Sequence, residues 1–295
     1  MLFLCRSRTV ALLAIPLVTT ACIGAELDEE PDEWADEAEG AIVIGNGLTL
    51  NRLALNALTQ TALTPLTLSQ RALTPGSLSP SSRAAIQNPG PDGALSRELL
   101  RYVVSCALRP DQSFSFTWTD SGGVAHAETY AGNLGIADWW VYGPLADPFY
   151  QRWISACLAS RTNWYGVSVN LSLRGSQVPL ASPAAERSAY TVREGAFWGN
   201  VFGSTPYLRA CHSPSGVSRA RSLKRDCAAG HIAVDPATGG QVAQPCGPIA
   251  LAGSCDTICN SVPAENGGYY FRCLDNPATS STEYTEVVIT SFLPP

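Results

Sequence analysis

The chain has 295 residues, with 19 basic and 25 acidic side chains, a formal net charge of −6 and 45% hydrophobic residues. This acidic balance excludes a protein that binds nucleic acid through a strongly basic surface. Its ten cysteines make the compartment important, because cysteines pair as disulfides outside the cytoplasm and stay reduced within it.

Residues 1–21 are predicted to form a secretory signal peptide. Two arginines, Arg6 and Arg8, precede an apolar run that extends from Thr9 to Val18. A run of about ten apolar residues is too short to span a bilayer permanently. The chain is therefore expected to leave the cytoplasm, and the mature protein is expected to lack this segment.

The end of the signal, Thr19-Thr20-Ala21-Cys22, resembles the lipobox of bacterial lipoproteins. It departs from that pattern at Thr19, where the family prefers leucine. The resemblance implies that Cys22 is the lipid attachment site and the first mature residue, and that Ile23 permits transfer to the outer membrane. The alternative is ordinary cleavage nearby, which would give a soluble secreted protein.

Residues 22–40 form a predicted acidic tether. Nine acidic residues and no basic residue lie between Glu26 and Gly40. Like charges at this density repel one another and stay extended and solvated. Without the tether and the two arginines of the signal peptide, 17 basic and 16 acidic residues remain, so the rest of the chain is close to neutral.

Residues 41–93 contain a leucine repeat with a period of five. Its members are Leu48, Leu53, Leu58, Leu63, Leu68, Leu73 and Leu78. A period of five keeps to one face of neither a helix nor a strand. It resembles pentapeptide repeats, which implies a right-handed β-helix, but seven repeats make less than two coils. We therefore predict a spacer, loosely ordered or packed on the domain, that ends in a Pro- and Gly-rich linker at Ser79–Gly93.

Residues 94–204 are predicted to form an α+β core around two helices. The first contains Arg101-Tyr102-Val103-Val104-Ser105-Cys106, and the second contains Arg152-Trp153-Ile154-Ser155-Ala156-Cys157. Apolar residues recur at helical spacing in both, and Asp147-Pro148 supplies a cap and a first residue for the second helix. Small neighbours let the helices approach, so a disulfide between Cys106 and Cys157 is plausible. The alternative is two unpaired core cysteines.

Strands are predicted to pack against the helix pair. Segments 112–118 and 124–130 flank a Gly- and Asp-rich turn, which is typical of a β-hairpin. Val167–Leu173 alternates apolar and polar residues, which predicts one buried and one solvated face. Further strands are predicted at 190–202, 269–271 and 284–292, the last at the edge of a sheet because two prolines follow it.

Residues 205–295 are predicted to be a cysteine-rich β region. Together with the helix cysteines, the disulfide candidates are Cys106, Cys157, Cys211, Cys227, Cys246, Cys255, Cys259 and Cys273. An even number of cysteines in an exported chain indicates a disulfide framework, in which four bridges at about 2 to 4 kcal/mol each would offset a small core. The sequence does not fix their connectivity, because eight cysteines allow about 105 pairings.

Zinc binding is the alternative use of these cysteines. Cys227 and His231, like Cys255 and Cys259, are separated by three residues, a spacing that zinc ligands adopt. An oxidising compartment and the even count favour disulfides, so no metal and no other cofactor is predicted. The basic segment Arg219–Arg225 is interpreted as a solvated loop rather than as a site for an anionic partner.

A recognisable catalytic motif is missing from the sequence. The three histidines, His126, His212 and His231, belong to no nucleophile elbow, zinc-protease helix or phosphate-binding loop. We therefore predict no catalytic residues and favour a structural or binding role over catalysis. The pair Trp139-Trp140 is interpreted as core, the alternative being a platform for stacking sugars.

Several features together resemble uncharacterised predicted lipoproteins of gliding soil bacteria. They are the acidic leader, the leucine repeat with its asparagines, the two Arg-aromatic-x-x-x-Cys helices, and Glu194–Asn200 followed by cysteine-rich loops. That family has no assigned activity, so the resemblance implies a location and no mechanism.

The sequence thus predicts an α+β protein in which a helix pair packs on antiparallel strands and a loop-rich, disulfide-stapled β half follows. Its expected role is structural or binding at the outer membrane or cell surface. The membrane, reached through the lipid anchor, and a surface protein or glycan are the expected partners. One alternative is an exported hydrolase with a site between the halves that uses His212 or His231; another is a zinc-stabilised binding module.

The lipid anchor makes a direct prediction for Cys22→Ser. The wild-type protein should partition into detergent and carry acyl mass on Cys22, whereas the variant should move to the aqueous phase, because each buried acyl CH₂ contributes about 0.8 kcal/mol to membrane binding. Detergent phase separation followed by intact-mass measurement checks this. A wild-type protein without acyl mass would contradict it.

Overall fold

A computed structural model describes residues 80–141, 145, 147–279 and 282–295, together with the backbone of three short strands at 43–44, 48–49 and 72–73. The predicted signal peptide, Cys22, the acidic tether and most of the leucine repeat lie outside the described residues. The described residues fall within one compact unit of the chain.

Six helices are described. They are α1 Pro80–Gln87, α2 Pro91–Ala107, α3 Pro148–Ser160, α4 Ala184–Ala189, α5 Val217–Ser222 and α6 Cys255–Ile258. Short 3₁₀ turns lie at Asp138–Val141, Val178–Leu180, Pro214–Gly216 and Ala264–Asn266.

Sixteen strands are described, most of them short. They are β1 Val43–Ile44, β2 Leu48–Thr49, β3 Ala72–Leu73, β4 Ser113–Thr119, β5 Ala125–Ala131, β6 Thr162–Asn163, β7 Leu171–Arg174, β8 Val192–Asn200, β9 Tyr207–His212, β10 His231–Val234, β11 Gln241–Gln244, β12 Ile249–Ser254, β13 Cys259–Ser261, β14 Tyr270–Leu274, β15 Tyr284–Thr285 and β16 Ile289–Leu293.

The central sheet has six strands in the order β1-β7-β16-β8-β9-β12. Its pairs are antiparallel except for β9 and β12, which run parallel. The smaller sheets are β3-β4-β5, β13-β14-β15, β10-β11 and β2-β6. This combination of helices with mostly antiparallel sheets confirms the predicted α+β class. Strands from both sides of residue 204 share the central sheet.

Helices α2 and α3 are joined by the Cys106–Cys157 disulfide that their sequences suggest. The Cα atoms of the two cysteines are 6.2 Å apart, and both side chains are fully buried. Helix α3 begins as its sequence predicts, because the Asp147 carboxylate accepts a hydrogen bond from the Phe149 amide and Pro148 occupies the first turn.

The segment predicted as a Pro- and Gly-rich linker, Ser79–Gly93, is instead largely helical. Pro80 and Pro91 each stand at the start of a helix, where the missing amide hydrogen and fixed φ favour helix initiation. Arg97 then donates hydrogen bonds to the carbonyl oxygens of Ile86 and Asn88 and so satisfies the end of α1. The prolines therefore start helices here rather than separate domains.

The two predicted strands at the centre of the sheet differ from expectation. Only Leu171–Arg174 of the first is a strand, and its residues are all buried because Ser172 and Arg174 bond to buried groups of the α4 region instead of water. The final strand, β16, lies between β7 and β8 rather than at an edge. Its two prolines follow the last paired residue, so they remove no ladder hydrogen bond.

A buried ion pair connects the elements around the sheet. The Arg225 guanidinium donates to both carboxylate oxygens of Glu194 at 2.8 to 3.0 Å, and each residue is 1% exposed. Arg225 also donates to the carbonyl oxygen of Ser160 at 2.7 Å, at the end of α3, and Ser291 donates to Glu194 at 2.7 Å. This cluster therefore joins α3, β8, β16 and the segment after α5.

Arg225 was predicted to lie in a solvated basic loop, and this is wrong. Val217–Ser222 is a helix, and two residues after its end Lys224 has a φ of 56°, which is in the left-handed region. A left-handed residue reverses the chain at a helix end, and lysine accepts it at a cost of about 1 kcal/mol. The reversal brings the next residue, Arg225, into the interior, where its amide donates to the carbonyl oxygen of Ala220.

Three further disulfides cross-link the second half of the chain, which confirms the predicted disulfide-stapled half. They are Cys211–Cys255, Cys227–Cys246 and Cys259–Cys273. Two of these bridges lie in a small second core together with Trp198, Tyr270 and Val288. Disulfides thus occupy the centre of a region that has few large apolar side chains.

Removing one partner of the buried ion pair should destabilise the protein strongly. Glu194→Gln leaves Arg225 buried without its counter-charge, and we expect the free energy of unfolding to fall by about 3–5 kcal/mol. The double variant Glu194→Leu/Arg225→Met should be closer to wild type, because neither charge remains. Urea unfolding with the disulfides intact measures both.

The control for this prediction is Asp111→Asn, which alters an exposed ion pair with Arg109. Its effect should stay below about 1 kcal/mol. Equal effects of Asp111→Asn and Glu194→Gln would contradict the role given to the buried pair.

Candidate functional site

A cluster of Trp164, Tyr165, Asp226 and His231 brings the two halves of the chain together at the surface. The imidazole of His231 stacks on the Trp164 ring at 4.2 Å between centroids and 8° between planes. Its Nδ1 lies 2.7 Å from the Asp226 carboxylate, and the Tyr165 ring meets its edge at 5.5 Å. Among the described residues, this cluster joins a buried carboxylate, a histidine and two aromatic rings.

The Trp164-Tyr165 turn is held by a single buried amide. The side-chain oxygen of Asn163 accepts from the Tyr165 amide at 2.8 Å, and its nitrogen donates to the Val167 carbonyl at 2.8 Å. Gly166, with φ of 67°, supplies the left-handed residue between them. The two aromatic rings therefore project from a turn that hydrogen bonds hold in place, rather than from an unrestrained loop.

Asp226 and His231 are placed by their neighbours in sequence. The residue before Asp226 is Arg225, which is held by its ion pair with Glu194. The residue after it is Cys227, which is bonded to Cys246. Gly230, directly before β10, has a φ of 85°, and an added Cβ there would meet the Leu251 side chain at 2.6 Å. The carboxylate and the imidazole consequently meet across a short segment that is anchored at both ends.

The hydrogen bond to Asp226 sets the chemistry of His231. A carboxylate accepts, so Nδ1 of the neutral imidazole carries the proton and Nε2, on the opposite edge, keeps its lone pair. Asp226 is only 4% exposed, and its other oxygen is buried without a hydrogen-bond partner in the described part of the chain. Asp226 therefore acts on a ligand through its neighbours His231 and Tyr165, as an orienting group.

Tyr165 offers the exposed surface of the cluster. Its side chain is 49% exposed, and its hydroxyl lies 3.4 Å from Nδ1 of His231. Partial burial and the nearby Asp226 carboxylate raise the pKa of Tyr165, so its hydroxyl stays protonated at neutral pH and can donate. The cluster thus presents an aromatic face, a hydroxyl donor and an imidazole acceptor.

His212, the other histidine proposed for a hydrolase, lies at the end of β9 in a different setting. Burial, followed by the charge of Arg221, lowers the pKa of His212, while Asp256 acts in the opposite direction. This histidine is therefore neutral at pH 7 and has no ordered carboxylate bond among the described residues. Of the two candidates, His231 has the arrangement expected of a functional histidine.

His126, the third histidine, forms a similar arrangement on the β4–β5 hairpin. It stacks on Trp118 at 4.5 Å, and its Nε2 lies 2.8 Å from the Asp120 carboxylate. Asp120 also accepts from the Gly122 and Val124 amides, so it serves as the turn residue of the hairpin. The Asp120–His126 arrangement is therefore explained by a structural role in the turn. The predicted β-hairpin is confirmed, because β4 and β5 pair along their whole length.

The tryptophan pair at 139–140 provides no exposed platform. Trp140 is fully buried, and Trp139 packs edge-on against Tyr150 at 5.0 Å between centroids. The aromatic surface lies instead at Trp164 and Tyr165. Sequence reasoning missed Asp226 and these two aromatics, and the one available signal was Asp226 five residues before a histidine.

The zinc ligand sets suggested by sequence spacing are divided among disulfides. Cys227 is bonded to Cys246 rather than free to join His231, and Cys255 and Cys259 are each bonded to another cysteine, Cys211 and Cys273. All eight cysteines proposed as disulfide candidates are paired in the structure. Cys22, the proposed lipid attachment site, lies outside the described residues.

No protein-family model, curated protein or solved structure matches the chain. Among the described residues, no helix combines the length and the apolar character that crossing a membrane requires.

Proposed function

We propose that the protein is an exported, lipid-anchored protein of the cell envelope that binds a glycan through Tyr165, Trp164 and His231. Export and anchoring rest on the signal-like segment that ends at Cys22 and on the resemblance to predicted lipoproteins of gliding soil bacteria. Eight cysteines at disulfide distance are consistent with an oxidising compartment.

The binding role is carried by one observation, the His231 imidazole held between Asp226 and Trp164 beside an exposed tyrosine. A sugar ring has an apolar face of C–H groups and an edge of hydroxyls. The Tyr165 ring suits the face, while its hydroxyl and Nε2 of His231 suit the hydroxyl edge. Because these groups are already ordered by Asn163 and Cys227, little conformational entropy is lost on binding.

A second candidate, an exported hydrolase, is favoured by the Asp226–His231 hydrogen bond. A histidine oriented by a buried carboxylate is the arrangement of a general base. Within the described part of the chain, however, the hydrogen bonds of His231 run to Asp226 and Tyr165, and neither supplies an aliphatic hydroxyl or thiol nucleophile. A hydrolase would therefore have to activate water through Nε2.

Glycan binding predicts a specific loss in Tyr165→Ala. On an array of bacterial envelope and matrix glycans, the wild-type chain should bind a defined subset, and the variant should bind it about tenfold more weakly, equivalent to about 1.4 kcal/mol. Tyr284→Ala is the matched control, since Tyr284 is 44% exposed on a different sheet. It should leave binding unchanged.

The same array distinguishes the alternatives. Equal losses in the two tyrosine variants, or no selective binding by wild type, would contradict the proposal. Release of shortened glycans that stops in His231→Ala but continues in His212→Ala would establish the hydrolase instead.

A further inference from the structure

Two disulfides of the second half lie side by side. Sγ of Cys211 is 3.6 Å from Sγ of Cys259, although each belongs to a different bridge. The sulfurs of Cys211, Cys259 and Cys273 all lie within 4.8 Å of one another, and Cys255 is bonded to the first of them. The two bridges therefore bring four cysteines, from β9, α6, β13 and β14, next to one another.

This spacing is close to that of a tetrahedral metal site. Zinc binds thiolates at about 2.3 Å, so its four sulfurs lie about 3.8 Å apart. The contact of 3.6 Å between the two bridges already has this separation. After reduction, each bonded pair needs to open to the same distance, a change that side-chain rotation can supply.

The backbone also suits metal ligation. Cys255 and Cys259 have three residues between them, across the turn from α6 to β13, within the spacing that zinc-binding cysteine pairs use. Cys273 lies directly opposite Cys259 in the β13–β14 ladder. Cys211 lies near the end of β9, so the four ligands are presented by four ordered elements.

The surroundings of these cysteines exclude water. Cys211, Cys255 and Cys273 are fully buried, next to Trp198 and Tyr270 in the second core. Arg193 lies over the Tyr270 ring at 4.1 Å and 3.5 Å from Asp256. Burial disfavours free thiolates, so the charge of the bound metal would have to stabilise them, and the excluded water would not compete for the metal.

A second group of possible ligands, Asp226, Cys227 and Cys246, is less suited to binding zinc. Its three ligand atoms also lie within 4.8 Å of one another. It offers only two thiols, however, and its carboxylate is already hydrogen-bonded to His231. It therefore serves as an internal comparison.

We propose that reduction of Cys211–Cys255 and Cys259–Cys273 converts this cluster into a Zn²⁺ site with four cysteine ligands. A phosphine reductant converts each bridge to two thiols, consuming one water and giving the phosphine oxide. Zn²⁺ then displaces four protons and forms four Zn–S bonds. Reoxidation of the thiolates to two disulfides passes four electrons to an oxidant and releases the metal.

The test uses the full chain, reduced by a phosphine without denaturant and titrated with Co²⁺ and Zn²⁺. We expect one Co²⁺ per chain, with the intense visible bands of tetrahedral thiolate coordination, and displacement by one Zn²⁺. Bound Zn²⁺ should protect Cys211, Cys255, Cys259 and Cys273 from alkylation. The remaining cysteines, among them Cys227 and Cys246, should be modified at their metal-free rates.

Two variants locate the site. Cys227→Ser/Cys246→Ser should keep the Co²⁺ spectrum, whereas Cys259→Ser/Cys273→Ser should lose it. If the reduced chain unfolds without metal, one equivalent of Zn²⁺ should restore its circular dichroism. Octahedral Co²⁺ bands, protection of other cysteines, or an unfolded chain that one equivalent of Zn²⁺ does not refold would each overturn the proposal.

Discussion

The buried Arg225–Glu194 ion pair is the constraint on which the rest of the structure depends. Two charges that are each 1% exposed must meet, because an unpaired charge in this interior would cost several kcal/mol. Their contact holds the end of α3 against the central sheet and fixes the chain immediately before Asp226. The position of the proposed binding site therefore depends on how the fold pairs the Arg225 guanidinium with Glu194.

Disulfides add further constraints to the one that the ion pair imposes. Cys227–Cys246 clamps the segment that carries Asp226 and His231, and the two adjacent bridges occupy the second core. A loop-rich region with few apolar side chains gains stability mainly because these bridges restrict its unfolded state, by about 2 to 4 kcal/mol each. The same dependence makes this half sensitive to reduction, and the proposed zinc site is one outcome of that sensitivity.

Local patterns predicted the local structure well. Helical spacing and the Asp147-Pro148 start located α3, and the turn at Asp120 located the β4–β5 hairpin, because each depends on neighbours in sequence. The Cys106–Cys157 bridge was also predicted correctly, but two predictions about which polar side chains face solvent failed, because they depended on tertiary contacts. The polar residues of β7 appeared solvated, yet α4 covers them, and Arg225 appeared exposed, yet a left-handed Lys224 turns it inward. The sequence could not group Asp226 with Trp164 and Tyr165, since about sixty residues, which include three strands of the central sheet, lie between them along the chain.

The most direct test of this account is the protonation geometry of His231, observed by long-range ¹H–¹⁵N correlation of the imidazole nitrogens at neutral pH. With three histidines in the chain, single-histidine variants assign each signal. A site ordered by Asp226 predicts that neutral His231 carries its proton on Nδ1, and that Asp226→Asn abolishes this preference. A His231 that favours Nε2–H, or that exchanges freely between both forms, would contradict the ordered site and the binding role built on it.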